Sequence, residues 1–196
     1  PMPMADARQK LQLSPTDRIA LFFGFVRHYK GLDLLLEAMA QPVVQAAHIK
    51  LLVAGEFYED EKPYFEIINK HHLKDRVLLH NHFIPDSEVA SYLCAADVVV
   101  QPYRSATQSG VTPLAYYFEK PMIVTNVGGL PDLVPDGKVG LVCAPDAVSI
   151  GAALVRFYNT GAQQFMPHLR TEKEKYGWHR LTAALQNLAG MEKQES

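Results

Sequence analysis

Apolar residues along the chain fall into two alternating patterns. Short runs rich in β-branched and aromatic residues occupy Ile19–Phe25, Ile49–Ala54, Val77–His80, Val98–Gln101, Met122–Thr125 and Val139–Cys143, and their length and content predict strands. Between them, apolar positions recur at spacings of three and four, as in Leu32, Leu35, Leu36 and Met39, in Tyr64, Ile67 and Ile68, and in Val89, Tyr92 and Leu93. That spacing predicts helices with one apolar face. Strands alternating with helices build right-handed βαβ units around a parallel sheet. Strand runs almost free of polar breaks suit a sheet covered by helices on both faces. The expected fold is therefore α/β, a Rossmann-like doubly wound parallel sheet of about six strands.

The ends differ from the middle. From Asp146 to about Met191 the chain reads as helix, broken near Asn159-Thr160-Gly161 and Tyr176-Gly177, and Asp146 suits an N-cap. Residues 146–191 are expected to extend a single domain covering 1–196. The opening Pro1-Met2-Pro3-Met4 reads as a linker, followed by polar, helix-forming residues to Lys10, with the expectation that a further segment precedes it.

Composition narrows the function classes. The chain is 48% apolar and 20% charged, an ordinary globular balance, and its net charge of -2 lacks the basic footprint of a nucleic-acid binder. Cys94 and Cys143 both lie in apolar runs and read as buried thiols rather than a disulfide framework. No apolar stretch approaches the roughly 18–20 residues that span a bilayer, and Asp97 interrupts the longest. With no signal-peptide pattern at the start, a cytoplasmic location is expected.

In an open parallel sheet, ligands sit beyond the carboxyl ends of the strands. The residues that follow these strands are Gly24 to Gly31 with Arg27 and Lys30, Gly55-Glu56-Phe57-Tyr58, Asn81-His82-Phe83-Ile84-Pro85, Pro102 to Gly110, and Asn126-Val127-Gly128-Gly129. Glycines, small hydroxyls and cations thus gather at one sheet edge. Arg104 to Gly110 leads into a helix through about Phe118, and Gly128-Gly129 precedes another that starts near Pro131. Backbone N–H groups at such helix starts suit anions, and Arg27 and Lys30 add a bidentate group and a point charge. A diphosphate fits this set.

At this point the chain resembles the C-terminal domain of family 4 (group 1) retaining glycosyltransferases of the GT-B fold. The matching stretches are FFGFVRHYKGLDLLLEAM, LLVAGEFYEDEKPY, the long segment from VLLHNHFIPDSEV to TNVGGLPDLV, and DGKVGLVCAPD, together covering about Pro15 to Trp178. The resemblance implies an enzyme of two Rossmann-like domains, with the nucleotide-diphosphate sugar, UDP- or GDP-linked, held by this one. The other would be an N-terminal acceptor-binding domain, with peripheral contact to the inner membrane face through it. The family's diphosphate-neutralising pair falls on Arg27 and Lys30, with Gly24 permitting close backbone approach. The segment His82 to Ile84, with Phe83 and Ile84, falls beside the nucleotide base. The Val127 to Leu130 loop, with Gly128 and Gly129, falls near the donor and the cleft to the second domain, and the helix carrying Trp178 where the chain crosses to the other domain. Thr107, Gln108, Ser109, Gly110 and Val111 form the phosphate segment. The family's two motif glutamates are replaced by Ala106 and Leu114. In the family the second holds the ribose and the first lies near the transferring sugar, so here Gln108, Ser109 and the Gly110 backbone are expected to take over phosphate contacts. The resemblance implies retaining sugar transfer without a cofactor, and an isolated domain that is inactive.

Other chemistry is weaker. Glu56 suits a ligand contact, orientation of Arg27, or capping of a neighbouring helix. His80-Asn81-His82 lacks a Cys or carboxylate to complete a metal set, so no metal is expected. His71-His72 closes a helix, Asp132 and Asp136 belong to a helix start and a turn, and Phe22, Phe23, Tyr116, Tyr117 and Phe118 read as core. Two rivals share the fold class: a non-catalytic nucleotide or sugar-phosphate binding module, and a dinucleotide oxidoreductase. The oxidoreductase is disfavoured because Gly24-Phe25-Val26-Arg27 stands where G-x-G-x-x-G belongs. A response-regulator domain would need an acidic loop where this one is basic.

Overall fold

A computed structural model describes residues 2–106 and 109–174. In chain order the elements are α1 (Met4–Lys10), β1 (Arg18–Phe23), α2 (Leu32–Met39), α3 (Pro42–Ala46), β2 (Ile49–Ala54), α4 (Lys62–Lys70), β3 (Val77–His80) and α5 (Asp86–Ala95). They continue with β4 (Val98–Gln101), α6 (Val111–Tyr117), β5 (Met122–Thr125), α7 (Leu130–Leu133), β6 (Gly140–Cys143), α8 (Ala147–Thr160) and α9 (Met166–Lys173). Short 3-10 turns cover His28–Lys30 and Ala162–Gln164.

The six strands form one parallel sheet in the order β3-β2-β1-β4-β5-β6, the doubly wound arrangement that the alternating runs predict. All six strand runs are found. The first ends at Phe23 rather than Phe25, because Gly24 turns the chain with φ +94. The last begins at Gly140, one residue after Val139. Residues Ile19 to Phe23 of β1 and all four of β4 are buried, as expected for central strands covered on both sides. Contacts group α2 with α3, α4 and α8, while α1 packs on α5 and α6 on α9.

This order decides where a ligand site belongs. The chain winds outward from β1 through β2 to β3, then returns to place β4 on the other side of β1. The loops leaving β1 and β4 therefore diverge to opposite faces and open a crevice between them.

At the C-terminal end, the expected break falls at Gly161 (φ +86), and Asp146 is the N-cap of α8, its carboxylate accepting the Ser149 N–H at 2.8 Å. The expected break at Tyr176-Gly177, the helix to Met191 and Trp178 lie outside the described residues. The N-terminal residues behave differently from a free linker. The Met2 N–H meets Cys94 Sγ at 3.5 Å, and Arg8 is only 3% exposed. Among the described residues, no helix is long and apolar enough to cross a membrane.

Candidate functional site

The crevice is built by two loops that touch backbone to backbone. Gly31 lies so close to the loop after β4 that a Cβ there would stand 2.0 Å from the Pro102 carbonyl oxygen, and the Arg104 N–H donates to the Tyr29 carbonyl at 2.7 Å. The loop after β5 joins them: a Cβ on Gly128 (φ +51) would stand 1.6 Å from the Ala106 carbonyl oxygen. Gly129 follows as the N-cap of α7. The structure thus brings together the glycine-rich edge anticipated from the sequence.

Two cations project from the β1 loop. Arg27 is exposed and extended (φ -139, ψ 149), and its guanidinium lies 5.0 Å from the centre of the Tyr58 ring. Lys30 closes the 3-10 turn and is half-buried. A Cβ on Gly24 would stand 3.3 Å from its ammonium and 3.8 Å from the Val111 side chain. Gly24, Lys30 and Val111 therefore converge at one point. Burial, and secondarily the Arg27 charge, holds the Lys30 ammonium below its ordinary pKa. Among the described residues, neither cation forms an ion pair. Two neighbouring uncompensated cations create a local positive field that an anion would relieve.

The β4 loop supplies the facing wall. Tyr103 is buried, its carbonyl held by the Thr125 hydroxyl at 2.6 Å and its phenol 3.3 Å from Ser109 Oγ. Ser109 Oγ in turn accepts the Val111 N–H at 3.2 Å. This differs from the expectation of a free amide at the helix start, because the serine side chain folds back on its own loop as short polar residues do. Gly110 is exposed and helical (φ -66, ψ -15), and a Cβ there would meet nothing within 4 Å. Thr107 and Gln108 lie outside the described residues. Leu114 is half-buried against the core, so the second motif position carries a packing side chain instead of a carboxylate.

The remaining candidates separate. Phe83 is 58% exposed and its ring centre lies 6.4 Å from that of Phe25, whose ring meets Tyr58 edge-on at 4.4 Å. Arg27 completes this aromatic ledge. Ile84 is only 9% exposed, so of the two only Phe83 presents an exposed side chain. Glu56 is exposed, and its backbone carbonyl accepts the Val26 N–H at 2.9 Å. The acid that serves the cationic loop is instead Glu59, whose carboxylate accepts the His28 N–H at 2.8 Å. Sequence reading singled out Glu56 by its place after the strand and gave no signal for Glu59. Behind the loop a cavity of about 420 Å³ is lined by His28, Asp33, Glu59, Asp60 and Tyr64 among others. His80 Nδ1 pairs with the Tyr92 hydroxyl at 2.9 Å. Tyr117, expected in the core, is 55% exposed, because it lies on the outer side of α6 with the Lys173 ammonium over its ring.

Residues 17–160 match the family described as glycosyl transferases group 1. The chain belongs to that family. A D-inositol 3-phosphate glycosyltransferase of Segniliparus rotundus is 30% identical over 141 residues, which make up 70% of this chain and 31% of that protein. Sucrose-phosphate synthase from Thermosynechococcus elongatus has the same fold at a TM-score of 0.80 and 25% identity, over 99% of this chain and 50% of that one. Anabaena HepE, crystallised in complex with UDP-glucose, matches with a TM-score of 0.74 at 17% identity, over 87% of this chain and 46% of that one. The chain thus spans half or less of the length of each. For a doubly wound sheet of this order, the crevice between the β1 and β4 loops is the place to seek chemistry, and there Arg27 and Lys30 form no ion pair among the described residues.

Proposed function

We propose that this chain is the donor-binding domain of a retaining two-domain glycosyltransferase, holding a nucleotide-diphosphate sugar in the crevice between the β1 and β4 loops. The observation that carries the reading is the pair Arg27 and Lys30 at the topological switch point, with no carboxylate on either among the described residues. A half-buried ammonium held below its ordinary pKa gains most from a dianionic partner. Arginine can grip a diphosphate through two parallel hydrogen bonds while lysine acts as a point charge.

In this reading Arg27 and Lys30 neutralise the diphosphate as the bond from the anomeric carbon to its oxygen breaks. Donors placed where charge develops are worth about 10²–10³ in rate apiece. The acceptor hydroxyl attacks the same sugar face, and its proton passes to the departing phosphate oxygen, so this domain needs neither nucleophile nor base. Side-chain cations take the place of a divalent ion, and the reading includes no metal or cofactor. Thr107, Gln108, Ser109, Gly110 and Val111 line the phosphates, and Gly128 and Gly129 close the far side. Gly24 admits the ligand to the backbone, Phe83 with Ile84 behind it flanks the base, and Glu56 sits at the rim. The complex of HepE with UDP-glucose supports a UDP-linked donor, and a GDP-linked donor suits the same phosphate contacts. The acceptor belongs to a second, N-terminal domain, which also makes any peripheral contact with the cytoplasmic membrane face. The 196 residues alone are not expected to transfer sugar.

Calorimetric titration with UDP, GDP, ADP and CDP, then with their sugar conjugates, tests the reading. Binding of one nucleotide that disappears in the Arg27→Ala/Lys30→Ala double variant is the expected result. Binding that survives this double variant would place the site elsewhere.

A second reading is favoured by one observation. Ala106 and Leu114 leave both motif glutamate positions without a carboxylate, as a non-catalytic nucleotide or sugar-phosphate binding module on this fold would tolerate. Turnover by a chain that includes the acceptor domain separates the two, since a binding module would hold the nucleotide and transfer nothing.

A further inference from the structure

Tyr103 stands between the two halves of the crevice and was not among the residues singled out from the sequence. Its ring is 3% exposed and its face lies 5.8 Å from the Lys30 ammonium, within cation–π reach. The Tyr29 ring meets it edge-on at 6.1 Å, and the Thr125 hydroxyl pins its carbonyl at 2.6 Å. At the other end of the ring, the phenol oxygen lies 3.3 Å from Ser109 Oγ. One buried side chain thus touches the cation of the β1 loop and the hydroxyl of the β4 loop.

Either oxygen could donate in this contact, and the partners among the described residues give it a direction. Among the described residues, the phenol has one polar partner, Ser109. A buried phenol that accepted from Ser109 would leave its own proton unpaired, at a cost comparable to a lost hydrogen bond. It therefore donates. Burial also pushes its pKa up to about 12, so the proton is present at any working pH. Ser109 Oγ already accepts the Val111 N–H at 3.2 Å. With both lone pairs used, its own O–H must point elsewhere.

We propose that Tyr103 is a positioning residue: its ring face holds the Lys30 ammonium, and its hydroxyl turns the Ser109 O–H toward the phosphates of the bound nucleotide. The inference rests on the donor-site reading above, and it makes the two phosphate-binding elements a single unit assembled on one aromatic ring.

Titration of the 196-residue chain with UDP and with uridine tests it. Tyr103→Phe keeps the ring and removes only the hydroxyl. It is expected to weaken UDP binding about fivefold to tenfold while leaving uridine binding unchanged, because uridine carries no phosphate. The same substitution should have no further effect in a Ser109→Ala background and should regain its effect in a Ser109→Thr background, which keeps a hydroxyl. Equal weakening of UDP and uridine would mean a structural role only and overturn the proposal, as would additive effects of Tyr103→Phe and Ser109→Ala. Wild-type chain that binds neither UDP nor GDP nor ADP would overturn the donor reading together with it. Wild-type binding that is lost in Arg27→Ala but unmoved in Tyr103→Phe would overturn the positioning role alone. Circular dichroism on each variant keeps loss of fold apart from loss of contact.

Discussion

Arg8 in α1 and Asp97, just before β4, meet at 3.0 Å with side chains 4% and 22% exposed. The second Asp97 oxygen accepts the Ile19 N–H at 2.7 Å and lies 3.4 Å from the Tyr158 hydroxyl. The guanidinium also donates to the carbonyls of Ala95 and Pro15. One ion pair therefore ties the first helix to β1, β4 and α8, at the end of the sheet opposite the crevice.

Removing one member of such a pair leaves the other charge buried without compensation. Arg8→Ala is expected to cost on the order of 3 kcal/mol in a urea unfolding experiment. Asp97→Asn keeps an acceptor for the Ile19 N–H and is expected to cost less than Asp97→Ala. Nucleotide affinity should stay unchanged in all three, because the pair sits at the far end of the strands. A loss below about 1 kcal/mol for Arg8→Ala would show that the helix is held by apolar packing instead.

Two glycines of the crevice make a matched comparison. Gly31 has φ +68 and a Cβ there would press on the Pro102 carbonyl, whereas Gly110 is helical with nothing within 4 Å of the added atom. Gly31→Ala is expected to lower stability by about 2 kcal/mol or more and to weaken nucleotide binding as the loops separate. Gly110→Ala is expected to be neutral or to stabilise by a few tenths of a kcal/mol. Thermal melts of the two variants, run side by side, check both outcomes.

The contrast between Arg8 and Lys30 shows how far the sequence could be read. Sheet, strand runs and helix faces were legible because burial on both faces leaves unbroken apolar runs such as Ile19 to Phe22, a signal carried by neighbouring residues. The placing of Arg27 and Lys30 on the loop after β1 was legible because that loop leaves the carboxyl end of a central strand. Arg8 was not, because its partner Asp97 is 89 positions away and a polar residue on a short helix ordinarily faces water. Glu59 and Tyr103 were missed for a related reason. Their roles depend on which loop folds onto which, and that is set by close backbone contacts such as Gly31 on Pro102 rather than by residue type. Tyr117 was misassigned to the core because aromatic content alone does not say which side of α6 it occupies.

Asp33 at the start of α2 and Arg104 after β4 also pair across the two loops. The pair uses one oxygen and one terminal nitrogen, while Asp33 Oδ1 and Arg104 Nε are buried with no partner among the described residues. Each group therefore depends heavily on the single bond it makes. Asp33→Ala and Arg104→Ala are each expected to destabilise the chain, and the double variant should cost little more than the worse single one. A double-mutant cycle of urea midpoints is expected to show a coupling of about 1 kcal/mol. Additive losses would mean that the two side chains act independently.

The Lys30 ammonium gives the crevice a pH dependence whose sign follows from its surroundings. Burial and the Arg27 charge lower its pKa from the ordinary 10.5. Between the lowered value and 10.5, the folded chain binds fewer protons than the unfolded chain, so the stability contribution of this group rises with pH in that window. Anion binding runs the other way, since the neutral amine no longer attracts a diphosphate. UDP affinity is therefore expected to fall on the alkaline side at a pH below that of an ordinary lysine, in the same interval where unfolding becomes slightly harder. Arg27→Gln removes the like charge and should move the alkaline limb upward, although it also weakens binding at neutral pH. A limb that stays in place would mean that burial alone sets the Lys30 titration. A limb at the ordinary lysine value in the wild type would mean that the Lys30 ammonium is open to water, and the lack of any limb would mean that the anion field of the crevice comes from Arg27 alone.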